Sequence, residues 1–546
     1  MKTKTSKSEL ILICATTFIT LGVTPFYSYD PINVFRFALI LIFGFMSISL
    51  IVIHRNSITL RNNRTLLIIS IFFIFWNLVV LIKSDRGFTD GLLGITGRHT
   101  GFLTYMGLTF VMILAAKEAK KSLISYLNIT LLVCGAVSAI YGVIQYLKLD
   151  PFDWINPYSP VFGVFGNPNF QASFLGISAT AALAYSLQKN RPGLYRIVLL
   201  SFIPVTLFVI YQSKSQQGFL VFAAGSSVVI YLWLKSNIKL SKLAPVYIFS
   251  WGISILLVLV DILQKSPWSP ILYKPSVTFR GDFWRTGWNI TTDNPIFGKG
   301  LDSYNDYYRL YRDRVTAERN PTAMVDSAHN VFLDISSGGG FPLLIIYCAL
   351  ILLVLISILK VIRREKEFNA GFAGIAGAWI AYFAQSIISI NQIGLAVWGW
   401  VLSGVIIGYE VNTRKDITGI DLIKKPIQEK LAIAFGLLLG LAISLPLIIT
   451  DGQFRSTIKA GDVIRIEQNL DQWPQSVIRM NLVAQIFIDG GFAERALIIS
   501  QKAVKFKPRN FEAWEKIYLN PTVDDNTKSQ ALLKMRELDP FNPNLK

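Results

Sequence analysis

The residues best suited to chemistry lie in one polar segment, Gln264–Asn330, between two long apolar stretches. Within it Arg280 and Arg285 flank Trp284, and the segment ends in the sequence Ser327–Asn330, which contains a histidine. A guanidinium stays protonated and forms paired hydrogen bonds to phosphate, while an imidazole accepts a proton near neutral pH. At a membrane surface, such arginines and a histidine would bind an anionic lipid head group and activate a hydroxyl.

His329 is one of three histidines in the chain, with His54 and His99. It precedes an apolar helix and follows Asp326 by three residues. A helical turn there would place both side chains on one face, where the carboxylate would orient the ring. A second interpretation is that His329 only caps the helix. Position alone favours neither one. His54 lies in a basic loop and needs no function.

The arginines of the segment also have a second interpretation, in which they contact lipid head groups while Trp284 lies in the interfacial aromatic belt. That interpretation is the stronger one for the remaining cations, which are Lys265, Lys274, Arg309, Arg312, Arg314 and Arg319. It is weaker for Arg280, which belongs to a pattern with Gly298 and Gly300 further along the segment. The two glycines predict a tight turn with close approach of the backbone.

Three other polar segments add candidate binding residues between apolar runs. Arg98 and Lys214 each place a cation beside a helix end. Asn167 and Asn169 flank a proline, a turn sequence whose amides could also bond sugar hydroxyls, and a turn-only role is favoured for them. Asn330, next to His329, is a further candidate contact.

Composition identifies the class of protein. Of the 546 residues 52% are hydrophobic and 16% charged, below the roughly 25% of soluble domains, and the mean hydropathy is +0.46. The net charge of +19 comes from lysines and arginines in short loops between apolar runs, a distribution that sets membrane topology and does not indicate nucleic acid. The three cysteines lie inside apolar runs, and there is no metal-ligand motif, so we predict neither disulfides nor a metal or other cofactor.

The apolar runs predict an all-α polytopic membrane protein with about 12–13 transmembrane helices. They lie near residues 10–24, 34–53, 66–82, 101–116, 124–146, 171–187, 194–211, 217–234, 245–263, 331–359, 371–389, 394–411 and 428–449. Alternate loops carry the cations Arg55, Arg61, Arg64, Lys117, Lys120, Lys121, Lys189, Arg191, Arg196, Lys235, Lys239, Lys242, Arg363, Arg364, Lys366, Arg414, Lys415, Lys424 and Lys425. The positive-inside rule assigns these loops and the N-terminus to the cytoplasm. The polar segment 264–330 and everything after Thr450 then lie outside.

After Thr450 the composition becomes that of a soluble domain, so we divide the chain into a membrane domain, 1–450, and an extracytoplasmic tail, 451–546. Helical periodicity in the tail lies near 458–470, 475–488, 492–505, 511–519 and 527–537. Two similar helix ends, 506–510 and 538–542, approach the spacing of about 34 residues found in tetratricopeptide repeats. A generic helical hairpin without a binding role is the alternative.

Several of these motifs together resemble the signature of the O-antigen ligase family, which also contains polysaccharide polymerases and protein O-oligosaccharyltransferases. The matching residues are Arg280-x3-Trp284, Asn294-Pro295-x2-Gly298-x-Gly300-x3-Tyr304, Ser327-Ala328-His329-Asn330-x2-Leu333 and Gly338-Gly339-Gly340. Gly97-Arg98-x2-Gly101 and Gly166-Asn167-Pro168-Asn169 resemble segments of the branch with C-terminal tetratricopeptide-like repeats.

The resemblance implies a glycosyltransferase of the C type, an inverting enzyme in the cytoplasmic (inner) membrane. Such an enzyme moves a glycan from polyprenyl diphosphate to an acceptor hydroxyl on the outer face without a metal. His329 corresponds to the group that activates the acceptor, and Arg280 to the diphosphate contact. A second family arginine lies in a Ser-Arg-Gly-like turn. Here that turn contains Lys214, so Lys214 or Arg98 takes its place or the contact is absent.

Three functions remain open at this point. The leading one is a ligase surrounded by membrane lipids. Its donor is a polyprenyl-diphosphate glycan, and its acceptor is a lipid, a glycan or a protein. A polymerase of the same family is the second. The third is a transporter or flippase for a lipid-linked glycan, which would require ionisable residues deep inside helices or interrupted helix pairs. The apolar runs contain few such residues, and Asp261 and Glu410 lie near their ends.

Overall fold

The computed structural model describes residues 5–84, 87–152, 154, 159–189, 192–262, 275–414 and 426–545. Within these ranges all regular structure is helical, as expected for an all-α protein. Residues 264–274 of the polar segment, with Lys265 and Lys274, lie outside the described residues. The same holds for the loop cations Arg191, Lys415, Lys424 and Lys425.

Thirteen helices correspond to the thirteen apolar runs. They are α1 (Lys7–Leu21), α2 (Asn33–Ile53), α4 (Arg64–Lys83), α6 (Phe102–Glu118), α7 (Lys121–Tyr146), α8 (Pro168–Ser186), α9 (Gly193–Gln212), α10 (Gln217–Ser236), α11 (Leu243–Ile262), α15 (Val331–Arg364), α16 (Ala370–Ile388), α17 (Ile393–Arg414) and α18 (Pro426–Ala460). Five further helices lie between them: α3 (Ile58–Asn62), α5 (Phe88–Leu93), α12 (Pro275–Asp293), α13 (Tyr304–Tyr311) and α14 (Arg314–Arg319).

Nine helices among the described residues are long and apolar enough to cross a bilayer: α2, α4, α7, α9, α10, α15, α16, α17 and α18. They pack through small residues, which let helix backbones approach closely within a membrane. Gly44 of α2 lies against Gly107 of α6, and Gly436 and Gly440 bring α18 against α2. The protein is therefore a polytopic bundle whose core is formed by helix–helix contacts.

The basic segments contact one another at one end of this bundle. Lys7 Nζ lies 2.8 Å from Glu429, His54 Nε2 lies 3.2 Å from the same carboxylate, and Lys235 Nζ donates to the carbonyl of Ile362 at 2.6 Å. A cavity of about 680 Å³ at this end is bordered by Arg364 and its neighbours. The grouping agrees with the prediction that these loops share one face.

The tail begins inside a helix. Helix α18 continues through Thr450 to Ala460, so the change in composition at 450 does not coincide with a break in the backbone. The predicted helix 458–470 is interrupted at Gly461, whose φ is +64°. The remaining tail helices match the prediction and are α19 (Val463–Asn469), α20 (Val477–Asp489), α21 (Ala493–Phe506), α22 (Phe511–Leu519) and α23 (Asp525–Leu538). They bury hydrophobic cores separate from that of the bundle.

Candidate functional site

The polar segment is fastened to helix α15 by backbone contacts between glycines. The N–H of Gly300 donates to the carbonyl of Gly338 at 2.9 Å, and the N–H of Phe341 donates to the carbonyl of Pro295 at 2.8 Å. A Cβ on Gly298 would lie 2.5 Å from the carbonyl carbon of Gly338. The predicted tight turn with close backbone approach is confirmed. It fixes where the polar segment joins the bundle.

A local hydrogen-bond network shapes the turn that carries His329. Asp334, in the first turn of α15, accepts the hydroxyl of Ser327 at 2.7 Å and the N–H of Ala328 at 2.8 Å. Ser327 Oγ in turn accepts the N–H of His329 at 2.9 Å, and His329 has a φ of +51°. The left-handed residue is thus held by its neighbours.

Two expectations about this turn are wrong. Residues 326–329 are not helical, so Asp326 and His329 do not share a helix face. The helix cap is Asn330 and not His329, because Asn330 Oδ1 accepts the N–H groups of Phe332 at 2.9 Å and Leu333 at 3.2 Å. The Asn330 side-chain oxygen therefore has a structural role.

The imidazole of His329 is half-buried and stacks on Phe283, with 5.5 Å between the ring centroids. The pKa of His329 is lowered to about 4, mainly by burial and also by the charges of nearby Arg280 and Arg98, while the carboxylate of Asp326 opposes the shift. The ring is therefore neutral at neutral pH and can accept a proton. No hydrogen bond to either ring nitrogen is found among the described residues.

Arg98 connects its loop to this turn. Its side chain is 9% exposed, its Nε lies 3.4 Å from Asp302, its Nη2 lies 3.9 Å from Asp334, and it donates to the backbone oxygen of Asp326. Burial acts to lower the pKa of Arg98, but the surrounding carboxylates outweigh it and raise that pKa above its ordinary value. Arg98 is thus held by acidic side chains beside His329.

Arg280 contacts the turn that contains Lys214. Arg280 Nη2 donates to Gln217 Oε1 at 3.4 Å, and burial lowers the pKa of Arg280. Ser215 of the same turn donates to Asn169 Oδ1 at 2.7 Å. Lys214 itself is exposed, with its ammonium 5.3 Å from the ring centre of Tyr211.

Asn167 caps α8 by accepting the N–H of Asn169 at 2.8 Å, which confirms its turn role. The four polar segments therefore meet in one cluster at the end of the bundle opposite the basic loops. We call this cluster the site end.

Arg285 faces a different network. Its Nη2 lies 2.5 Å from Asp282 and its Nε lies 2.9 Å from Asp313. Arg319 also binds Asp282, at 2.5 Å, so the expected lipid contact of Arg319 is replaced by an internal ion pair. Trp284 differs again, because its indole N–H is buried and unpaired among the described residues.

The expected lipid contacts of Arg309 and Arg312 are also wrong, because both arginines bind the tail. Arg309 Nη1 lies 2.8 Å and Arg312 Nη2 lies 2.6 Å from the carboxylate of Asp539. The side chains of Arg312 and Asp539 are fully buried. Arg314 pairs with Glu318 at 2.7 Å on the surface. The cations of the segment thus mainly organise the protein itself.

Comparison with protein families finds a match over part of the chain. Residues 198–348 match the family model described as O-antigen ligase. The chain carries an O-antigen ligase domain. This match and the nine membrane-length helices among the described residues support a multi-pass membrane protein of the O-antigen ligase or polymerase type. The matched residues of this ligase domain include Lys214, Arg280 and His329, whereas Arg98, Asn167 and the tail lie outside them. A comparison with curated proteins finds no match.

Sequence reasoning missed Asp302, Asp334, Gln217 and Asp539. Asp302 Oδ2 accepts the N–H of Ile95 at 2.9 Å and that of Thr100 at 3.2 Å, so it joins two polar segments. The one available signal was for Asp334, an acidic residue in the first turn of an apolar helix, where carboxylates bind free N–H groups.

Proposed function

We propose that this ligase domain transfers a glycan from polyprenyl diphosphate to an acceptor hydroxyl on the outer face of the cytoplasmic membrane. The observation that carries the proposal is that the half-buried imidazole of His329 stacks on Phe283, which lies about one turn along helix α12 from the half-buried Arg280. The charge of Arg280 helps to keep the pKa of His329 low. A base and a fixed cation side by side suit a reaction in which a hydroxyl loses a proton while a phosphate gains charge.

In the proposed step His329 takes the proton of the acceptor hydroxyl as its oxygen bonds to the anomeric carbon of the donor sugar. The bond from that carbon to the diphosphate oxygen breaks, and the electron pair leaves with the diphosphate. Attack opposite the leaving group inverts the anomeric configuration. Arg280 stabilises the charge that develops on the diphosphate. We assign Lys214, exposed in the adjoining turn, as a second cation for the same group.

The other candidate residues receive supporting roles in this proposal. Arg98 and Asp326 position the His329 turn, because the Arg98 guanidinium is already bound by acidic groups. Arg285 positions α12 through its two carboxylate partners. Trp284, Asn169 and Asn330 line the same end, and the buried indole N–H of Trp284 is a donor suited to a bound donor substrate.

A polymerase and a transporter are the alternatives. The family match agrees equally with a ligase and a polymerase. A transporter is less favoured, since the candidate groups gather at one end of the bundle. A transporter would also require ionisable residues deep inside helices. The buried Arg36 lies instead in the first turn of α2, where it donates hydrogen bonds to the carbonyls of Thr20 and Val164.

The test uses purified protein in sealed proteoliposomes with a polyprenyl-diphosphate oligosaccharide and separate lipid, glycan and peptide acceptors. Mass spectrometry follows free polyprenyl diphosphate and the glycosylated product, with His329→Ala as the comparison. Release of diphosphate coupled to one glycan per acceptor supports a ligase, and stepwise lengthening of the glycan identifies a polymerase. Movement of intact donor across the bilayer without diphosphate release would overturn the proposal.

A further inference from the structure

The most deeply buried contact between the tail and the polar segment is made by the carboxylate of Asp539. Asp539, just after the last tail helix, is fully buried and accepts hydrogen bonds from Arg309 Nη1 at 2.8 Å, Arg312 Nε at 3.0 Å and Arg312 Nη2 at 2.6 Å. Asn542 donates to the same carboxylate at 2.9 Å. A buried carboxylate shared by two arginines is costly to break, because each group left behind is an unpaired charge.

Helix α13 connects this ion cluster to the ring behind His329. Its Tyr304 donates to the carbonyl of Phe283 at 2.7 Å, and its Tyr308 packs edge-to-face on Phe283, with centroids 6.0 Å apart. The Arg312 guanidinium lies 5.9 Å from the ring centre of Tyr308. Phe283 is the ring on which His329 stacks. One continuous set of contacts therefore runs from Asp539 to His329.

A second set of contacts reaches the same histidine along the backbone. Arg312 donates to the carbonyl of Asn320 at 2.9 Å and to that of Pro321 at 3.0 Å, and Arg309 donates to the carbonyl of Thr322 at 3.1 Å. These carbonyls belong to the first residues of the stretch that leads into the His329 turn. Asp539 thus orients the two guanidinium groups that hold both the ring stack and this stretch.

We infer that the tail completes the candidate active site, with Asp539 as a positioning residue for His329. The inference rests on the proposed function, because that function supplies the reaction in which His329 acts. The effect of Asp539 on the geometry of His329 does not depend on that reaction. A tail that only recruits acceptors would have no need of a buried carboxylate bound to α13. Lys507 adds to the docking through Asp90 at 2.8 Å and Asp306 at 3.1 Å.

The test compares Asp539→Asn, which removes the charge at constant shape, with Asp471→Asn as the matched control. Asp471 is an exposed tail carboxylate paired with Lys502, remote from α13 in its contacts. The direct readout is the rate at which diethyl pyrocarbonate modifies His329, measured by mass spectrometry with His54 as the internal reference. We expect the His329 rate to rise several-fold in Asp539→Asn and to be unchanged in Asp471→Asn.

Transfer kinetics with the polyprenyl-diphosphate oligosaccharide give the second readout. Misplacing a base by a fraction of an ångström costs on the order of 10- to 100-fold in kcat, whereas the KM for the donor, set by Arg280, should stay near wild type. A tail that only recruits acceptors would raise the KM for the acceptor and leave kcat and His329 reactivity unchanged, which would overturn the inference.

A second pair of variants keeps the inference testable if Asp539→Asn unfolds. Tyr308→Leu interrupts the ring stack without touching the tail and should raise His329 reactivity, while Tyr308→Phe keeps the ring and should not. Unchanged reactivity in both Asp539→Asn and Tyr308→Leu, with transfer intact, would refute the positioning role alone. Raised reactivity in a protein that never transfers glycan would support the positioning role and refute the proposed function.

Discussion

Asp334 accepts the hydroxyl of Ser327 at 2.7 Å, across the turn that carries His329. The same carboxylate accepts the N–H of Ala328, so a residue inside the helix determines the path of the chain before the helix starts. A carboxylate in the first turn of a helix is well placed to accept such hydrogen bonds, because the unpaired N–H groups there favour negative charge. The relationship explains how a non-glycine residue is held at a φ of +51°.

Asp334→Ala should disorganise this turn, although the His329 side chain itself is unchanged. Loss of two acceptors for buried donors costs about 1–3 kcal/mol in the free energy of unfolding. We expect transfer to fall on the order of tenfold or more, because the base loses its orientation. Thermal unfolding and steady-state transfer provide the two measurements. Wild-type kcat in a destabilised Asp334→Ala protein would show that the network serves stability only.

His329→Ala tests the base directly. Removal of a general base costs about 10²–10⁴-fold in rate, and donor binding should persist because Arg280 remains. His54→Ala is the matched control, since His54 lies at the other end of the bundle beside Glu429. His99 is a poorer control, because it is buried against Phe37. Equal losses of transfer rate in His329→Ala and His54→Ala would contradict the assignment of His329 as the base.

The pH dependence of kcat/KM should carry the signature of a depressed histidine pKa. Because the pKa of His329 is about 4, the base is neutral at higher pH and is lost only as the pH falls through about 4. An ordinary imidazole would lose activity near pH 6.5. We therefore expect no acidic limb near pH 6.5 that depends on His329. An acidic limb centred near 6.5, absent from His329→Gln, would contradict the buried environment.

The helices could be predicted because the membrane imposes a length on apolar runs, and all thirteen runs have a corresponding helix. The tail helices followed similarly from periodicity. The His329 turn could not be predicted, since the outcome depended on whether Asp334 captured the Ser327 hydroxyl. Arg309 and Arg312 resembled lipid-binding residues because their partner, Asp539, lies more than 200 positions away. A single sequence contains no sign of that pairing.

Arg280→Ala should lower transfer about 10²-fold, equivalent to ~3 kcal/mol of transition-state stabilisation. Arg280→Lys should cost less, because it keeps the charge but loses the planar pair of donors. Arg285→Ala is the control on the same helix, because Arg285 is half-exposed and its buried partner Asp282 keeps an ion pair with Arg319. Activity should also survive EDTA. Loss of activity in EDTA with rescue by magnesium would rule out the proposed mechanism.

Topology is testable with single cysteines in a protein whose three native cysteines are replaced. Arg363→Cys and Lys242→Cys lie at exposed positions among the basic loops, and Met324→Cys and Ile498→Cys lie at exposed positions of the polar segment and tail. In intact cells an impermeant maleimide should label the second pair only. Labelling at 363 and 242 but not at 324 and 498 would reverse the orientation and move the reaction to the cytoplasmic face.

Gly340→Ala tests the junction between the polar segment and α15. Gly340 has a φ of +72°, and a Cβ there would lie 2.2 Å from the carbonyl oxygen of Ile296. Strain and clash together should cost more than about 2 kcal/mol in the free energy of unfolding. Gly281→Ala, in α12 with no described atom within 4 Å of the new Cβ, should instead gain about 0.5–1 kcal/mol from helix propensity. Thermal unfolding of both variants is the measurement. Equal stability would mean that the backbones of the polar segment and α15 do not approach as closely as the hydrogen bond from Phe341 to Pro295 requires.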